Sequence, residues 1–139
     1  MILLDTNVLS ALMRQKPDTE VIQWLDGQPR TSVWTTAITV FEVRFGLDVM
    51  AAGKRRSLLM AAFDRLLNKT IEQRIAHFDS AAAHRAADLM ASRQKEGRSG
   101  ELRDTMIAGI VLASHGTLAT RNVKHFEDIA SSVVNPWSP

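Results

Sequence analysis

The chain opens with MILLDTN (Met1–Asn7), an apolar run that ends in an acid and two further residues able to cap a helix. Short, wholly apolar runs such as Ile2–Leu4 are typical of strands buried on both faces of a parallel sheet. Asp5 follows at once, where it can cap the next helix. Ligand sites of open α/β sheets form beyond the carboxyl ends of strands, so Asp5 is also a candidate site residue. Taken alone, this stretch leaves both roles open.

The rest of the sequence alternates short apolar runs with helical patterns, which indicates an α/β fold with a mainly parallel central sheet. We expect a three-layer α/β/α sandwich that forms one domain over residues 1–139. Gly53 is predicted to end the third helix and Ser80 to cap the fifth. Further strands are predicted at 31–35, 72–78, 117–120 and, as a short edge strand, within 133–137. A short helix is predicted through Leu9, Leu12 and Met13, a second from Asp18 to Leu25, and further helices near 38–52, 55–67, 80–96 and 102–114.

Composition narrows the class of protein. The 139 residues are 45% hydrophobic and 23% charged, as in an average globular domain. The absence of cysteine excludes disulfides, thiolate metal sites and a cysteine nucleophile. The N-terminus has no basic region before its apolar run, and no apolar stretch approaches the ~20 residues that span a bilayer. We therefore expect a soluble, cytoplasmic protein with no membrane segment.

Glu42 is a carboxylate within an apolar pattern. Its neighbours at helical spacing predict that it lies on the buried face of its helix. An unpaired buried carboxylate is costly, so Glu42 needs a cation or a hydrogen-bond partner, and an ion pair with Arg44 or Arg85 is the alternative to a functional role. The apolar positions around it are Ile38, Phe41, Phe45 and Val49.

Asp104 shows a similar pattern near the start of the last long helix. Ile107, Ala108 and Val111 follow it by three, four and seven residues, which places Asp104 on the inward side of the first turn. The helix dipole favours a negative charge there. Helix capping is again the alternative role.

Asp5, Glu42 and Asp104 together are harder to explain as three separate structural residues. Converging carboxylates repel one another, and a cation makes such a cluster stable. All-oxygen ligands suit Mg²⁺ or Mn²⁺, and carboxylate-held Mg²⁺ is suited to phosphodiester hydrolysis.

Aspartyl-phosphate phosphatases also place an Asp after the first strand. Their second acid, two residues later, is Asn7 here, which argues against that class.

Four segments, in this order, resemble the motifs of the PIN-domain family: Met1–Val8, Ala37–Gly46, Arg103–Ala108 and Leu118–Asn122. The ending Asn135–Trp137 is similar to the FitB-like branch of the VapC-like toxins. The resemblance covers essentially the whole chain and implies a PIN-like α/β/α fold. It further implies a Mg²⁺- or Mn²⁺-dependent endoribonuclease, the toxin of a type II toxin–antitoxin system. A small antitoxin would neutralise the toxin, which would form a homodimer within a larger complex and reach operator DNA only through the antitoxin.

The resemblance also assigns site residues. Asp5, Glu42 and Asp104 match the acids that bind the metal and carry catalysis, and Thr6 and Thr120 match positions that support the site by hydrogen bonding.

Two positions depart from the family pattern. Asn122 stands where many members have a fourth acid, and an amide oxygen ligates Mg²⁺ only weakly. In Lys124–Phe126, His125 stands where related toxins often carry Asp. Glu127 and Asp128 could compensate, but we expect both on a solvated surface. The number of metal ions and the alternative of an inactive PIN-like interaction domain therefore stay open.

Other charged residues give weaker signals. Arg103 could contact substrate phosphate, although a surface ion pair with Glu101 is favoured. A net charge of +2 and a sequence pI of about 9.4 are only weakly consistent with a nucleic-acid substrate. No helix-turn-helix or zinc pattern favours direct DNA binding. None of the four histidines has metal-ligand spacing, and none is assigned a catalytic role.

Overall fold

The central sheet of the computed structural model, which describes residues 1–139, is entirely parallel and has the strand order β3-β2-β1-β4-β5. Leu3 in β1 pairs with Trp34 in β2 and with Leu118 in β4, so β1 is the central strand. The strands are β1 (Ile2–Leu4), β2 (Val33–Thr36), β3 (Ile75–Ala76), β4 (Thr117–Ala119) and β5 (Val133–Val134).

Six helices cover the two faces of this sheet and complete the α/β/α sandwich that the sequence predicted. Leu4 faces a core formed with the first four helices, whereas Leu3 faces a core formed with the last two. This alternation follows from the two-residue period of a strand. The helices are α1 (Thr6–Met13), α2 (Thr19–Asp26), α3 (Ala37–Asp48), α4 (Lys54–Arg65), α5 (Ser80–Lys95) and α6 (Leu102–Ser114). None of them combines the length and apolar character needed to cross a membrane.

The close packing of α5 on α6 depends on a missing side chain. A Cβ atom at Gly109 would lie 2.5 Å from the carbonyl oxygen of Ala82 and 2.8 Å from the Cβ of Ala86. Small residues on both helices therefore let their backbones approach closely, and this contact fixes the position of α6 and its first turn.

Several predicted boundaries differ from the observed ones. The strand predicted at 72–78 is only Ile75–Ala76, because Glu72 and Gln73 adopt left-handed φ values of 52° and 57° and form a turn. Gly53 precedes α4 instead of ending α3, which stops at Asp48. The helix predicted at 55–67 continues past α4 as a π-helical turn over Leu66–Thr70.

The cap of α5 is also one residue earlier than predicted. The Asp79 carboxylate accepts the Ala82 N–H at 2.9 Å, so Asp79 and not Ser80 is the capping residue. Both residue types are good caps, and the sequence alone does not choose between neighbours.

The buried face of α3 is not the one that the sequence predicted. Apolar residues lie on more than one side of this helix, so their spacing did not identify the inward face. The side chains that reach the core are Thr39, Val43 and Leu47. Phe41, Phe45 and Val49 are 58%, 54% and 67% exposed.

Candidate active site

Asp5 lies at the carboxyl end of the central strand and is 4% exposed. Its Oδ1 accepts the Thr6 backbone N–H at 2.8 Å, which caps α1. Its Oδ2 accepts the Thr120 hydroxyl at 2.7 Å, and Thr120 follows β4 directly. Asp5 is therefore a helix cap and a buried carboxylate at the sheet edge at the same time, so the two roles were not exclusive.

Thr120 is the centre of a small hydrogen-bond network. Its Oγ1 donates to Asp5 and accepts from the Asn7 side chain at 3.3 Å and from the Asn122 N–H at 3.1 Å. The Asn7 side-chain oxygen in turn accepts the Arg121 N–H at 3.0 Å. Asn122 enters this network only through its backbone, and the residue is exposed.

Glu42 reaches the same sheet edge from the second turn of α3. Its Oε1 accepts the Thr6 hydroxyl at 3.0 Å, and its Oε2 lies 3.9 Å from Nη1 of Arg103. The alternative pairing with Arg44 or Arg85 is wrong, since the cation near Glu42 is Arg103 and Arg44 pairs with Asp48 at 3.1 Å.

Arg103 bridges two acids. Besides its loose contact with Glu42, its Nε lies 3.1 Å from Oε1 of Glu101, which confirms the favoured surface ion pair. Its side chain is 44% exposed, so this pairing is weak.

Asp104 lies in the first turn of α6, and its side chain is 21% exposed. Helix capping is not its role, because Glu101 accepts the Asp104 N–H at 2.9 Å and provides the cap. The Asp104 Oδ2 instead lies 3.0 Å from Nδ1 of His125. Sequence reasoning missed this histidine, although it stands at a position where related toxins often carry an acid.

Electrostatics show that the three acids interact. Burial raises the pKa of Asp5, and the nearby charge of Asp104 raises it further, against the opposing hydrogen bonds from Thr120 and Thr6. Burial also raises the pKa of Glu42, to which Asp5 and Asp104 both add. The structure therefore brings together the three acids named from the sequence, and their charges repel one another.

The donor chemistry fits a hard divalent cation. The structure contains no group of three His, Asp or Glu side chains already arranged to hold a metal ion. Mg²⁺, however, keeps several of its waters and usually binds proteins through one or two carboxylates. Burial is the main cause of the raised pKa of Asp5 and Glu42, and repulsion between the acids adds to it. A hydrated Mg²⁺ or Mn²⁺ beside Asp5, Glu42 and Asp104 would offset both effects.

Asp128 is not available to complete this cluster. Each of its two carboxylate oxygens lies 2.8 Å from a nitrogen of the Arg93 guanidinium. Arg93 is buried, with 5% of the residue exposed. These hydrogen bonds hold the pKa of Asp128 below its usual range. The expectation of a solvated Asp128 is wrong, whereas Glu127, with a 65% exposed side chain, lies on the surface.

Comparison with known proteins agrees with this fold. The family model described as PIN domain matches residues 2–131. The VapC ribonuclease Y4jK of Sinorhizobium fredii is 38% identical over 139 residues, which cover 100% of this chain and 99% of that protein. Toxin FitB of Neisseria gonorrhoeae is 33% identical, with 99% of each chain covered. In the crystal structure of FitAcB from the same organism, a chain with 33% identity superposes with a TM-score of 0.88 and 99% coverage of both chains. On its family match, its relatives and its fold, the chain belongs to the PIN-domain family, as its four motifs indicated.

Proposed function

We propose that this chain is the toxin of a toxin–antitoxin pair and hydrolyses RNA phosphodiester bonds with a divalent metal ion held by Asp5, Glu42 and Asp104. One observation carries the proposal: three acids from separate elements meet at the carboxyl end of the sheet, where burial raises the pKa of Asp5 and Glu42 and the charges of the neighbouring acids raise it further. The relative named VapC ribonuclease, which aligns over the whole chain, supports the same activity.

The surrounding hydroxyl groups fix the geometry of two acids. Thr120 and the Thr6 N–H hold the two oxygens of Asp5, while the Thr6 hydroxyl orients Glu42. Such partners set the direction of metal-binding carboxylates and tune their basicity. Thr6 and Thr120 are therefore supporting residues in this proposal, and Asn122 contributes through its N–H to Thr120.

A bound Mg²⁺ or Mn²⁺ would supply positive charge to the phosphate and lower the pKa of a bound water. Oε2 of Glu42 accepts no hydrogen bond from Thr6, so this oxygen is available to accept a proton from an attacking water. Arg103, beside Glu42, is placed to contact the phosphate, although Glu101 competes for it.

A second candidate function is that of a PIN-like domain that binds partners without catalysis. The observation that favours it is the loss of two acids at one side of the site. An exposed Asn122 and the imidazole of His125 stand where many family members carry carboxylates.

A partner protein forms part of the proposal, because solved structures of similar chains are toxin–antitoxin complexes. A groove of about 1100 Å³ lies between α1, α4 and the π-helical turn and is lined by apolar and basic side chains. This pattern suits an amphipathic segment with acidic residues. We expect operator DNA to be contacted by this antitoxin and not by the toxin. The apolar and basic side chains of the groove include Leu12, Leu58, Leu59, Arg14, Arg55 and Lys69.

A second copy of the chain is the proposed occupant of the exposed stripe on α3. The rings of Phe41 and Phe45 stack with a centroid separation of 6.3 Å, and Val49 extends the same surface by one turn. Exposed apolar side chains that cluster in this way mark interaction sites. A homodimer through α3 would bury them beside the acid cluster, because Glu42 lies on the same helix.

The experiment that tests the toxin function is growth after induction of the wild-type chain and of the Asp5→Ala variant, with total RNA examined in parallel. Growth arrest and RNA fragmentation by the wild type, both lost in the variant, are expected. Arrest that persists in a folded Asp5→Ala protein without RNA fragmentation would favour the binding domain instead.

A further inference from the structure

We propose that a polar cavity beside Asp104 binds a second phosphodiester group of the RNA strand, next to the one that is cleaved. The inference rests on the proposed ribonuclease function and adds to it a subsite outside the three acids. The cavity has a volume of about 190 Å³ and lies between residues 97–100, the start of α6 and the turn at 123–126.

The cavity is lined by polar and charged residues alone, and its cationic side chains include Arg98 and Lys124. Its two carboxylates already have partners, because Glu101 pairs with Arg103 and Asp104 with His125. Arg98 pairs loosely with Glu127 and Asp128 at 3.5 and 3.6 Å, whereas the neighbouring ammonium of Lys124 is exposed. A phosphate group could therefore recruit both cations at little cost in lost pairing, since exposed ion pairs contribute little.

The backbone adds further donors to the same wall. The N–H groups of Ser99 and Gly100 donate to no protein acceptor, and both residues line the cavity together with the Ser99 hydroxyl. Phosphate oxygens are commonly bound by backbone N–H groups together with Arg and Lys side chains.

The cavity is built on a buried scaffold. The Arg93 guanidinium forms hydrogen bonds with Asp128, with the Thr105 hydroxyl at 3.1 Å and with the His125 carbonyl at 3.0 Å. A Cβ atom at Gly100 would lie 2.7 Å from Nη1 of Arg93, so the absence of a side chain lets the loop close over it. Arg93 thus fixes the loop at 97–100, the start of α6 and the turn at 123–126 relative to one another. Asp128 neutralises the charge of Arg93, which leaves ligand binding to Arg98 and Lys124.

Position favours a phosphodiester over other anions. Asp104 belongs to the acid cluster and also lines the cavity, as does its partner His125, so the two sites share a wall. A strand whose scissile phosphate lies at the three acids carries its next phosphate on the same backbone. A cationic subsite there offsets the repulsion between the acids and the strand.

The test is binding of a labelled single-stranded RNA oligonucleotide in the Asp5→Asn background with Mg²⁺, followed by fluorescence anisotropy at several salt concentrations. Lys124→Gln and Arg98→Gln are compared with Lys95→Gln, a matched control on α5 that lines no part of this cavity. Each cavity variant should bind RNA about 3- to 10-fold more weakly, and its salt slope should fall by about 0.7 for the lost phosphate contact. Melting temperatures confirm that each variant is folded.

Three outcomes would overturn the proposal. The first is that both cavity variants bind RNA with the affinity and the salt dependence of the wild type. The second is an equal effect of Lys95→Gln, which would show a general charge effect. The third is that a polyglutamate peptide, but not RNA, loses affinity in the cavity variants, which would assign the cavity to an acidic segment of a partner protein. Failure of the ribonuclease function would appear separately, as intact RNA after incubation with the wild-type chain.

Discussion

The imidazole Nδ1 of His125 lies 3.0 Å from Oδ2 of Asp104, so a histidine orients one of the three clustered acids. The His125 side chain is 56% exposed, but its backbone carbonyl is held by the buried Arg93. A carboxylate–imidazole pair thus occupies the side of the site where related toxins often have two carboxylates. Removing the ring should free Asp104 to rotate.

His125→Ala should reduce metal-dependent RNA cleavage by about 10- to 100-fold, the usual effect of losing a group that orients a metal-binding carboxylate. The readout is the initial rate together with Mn²⁺ affinity from electron paramagnetic resonance. His84→Ala, at an exposed position of α5, is the control and should leave both unchanged. Unaltered Mn²⁺ affinity in His125→Ala would show that the contact with Asp104 has no part in metal binding.

Glu42→Gln should raise the melting temperature of the metal-free protein by roughly 3 °C. It removes a charge that is disfavoured first by burial and then by Asp5 and Asp104, and it can keep the Thr6 hydrogen bond. A carboxyl group whose pKa is higher in the folded than in the unfolded state destabilises the fold once it ionises, so the gain should be small below the ordinary pKa of 4.5 and grow as the pH rises above it. Scanning calorimetry in EDTA from pH 4 to 8 checks this, and a constant difference across that range would refute the claim that ionised Glu42 destabilises the metal-free fold.

Asp128→Asn should lower the free energy of unfolding by about 3–5 kcal/mol, since it leaves a buried guanidinium without its partner charge. The pKa of Asp128 is depressed below its ordinary value of 3.8, so this stability is present above pH 3.8 and is lost as the pH falls below it. Urea unfolding at pH 7 and near pH 3 should show a gap between wild type and variant that closes in acid. Glu127→Gln, on the exposed neighbour, should cost less than about 0.5 kcal/mol, and an equal cost for both variants would contradict the account.

Phe45→Glu should convert a homodimer to a monomer without lowering the melting temperature of the monomer, because the side chain is 54% exposed. Light scattering after size-exclusion chromatography measures the mass. The control is Leu58→Glu. Leu58 lies on α4 and lines the groove, so this change should leave the dimer intact. A wild-type protein that is already monomeric at high concentration would rule out the proposed α3 interface.

The sequence identified most of the fold because its signals were local. The apolar run Ile2–Leu4, followed by Asp5, predicted the central strand and the acid at its end. Glu42 and Asp104 were found because each is a carboxylate within an apolar pattern. The reasoning about Glu42 was only partly right, since Phe41 and Phe45, used to place the buried face, point to solvent. Helical spacing cannot separate a core face from an exposed face when both are apolar.

Contacts between distant parts of the chain could not be predicted in this way. The His125–Asp104 contact joins residues 21 positions apart, and the Arg93–Asp128 pair joins residues 35 apart. Neither contact leaves a periodic signal, and the motif comparison marked His125 only as a departure from an acid, without indicating its partner. Asp128 looked like an ordinary surface acid because its partner, Arg93, lies far away in the sequence, on α5.

The most direct test of the metal-dependent ribonuclease is incubation of labelled RNA with purified protein freed of any partner, in Mg²⁺, in Mn²⁺ and in EDTA. Asp104→Asn is the matched variant, and Asp88→Asn, on α5, controls for the loss of one negative charge. The account expects cleavage in Mg²⁺ or Mn²⁺, none in EDTA, and a loss of at least about 100-fold in Asp104→Asn alone. Cleavage that survives EDTA or the Asp104→Asn change would contradict it, as would intact RNA in every metal with folded, partner-free protein.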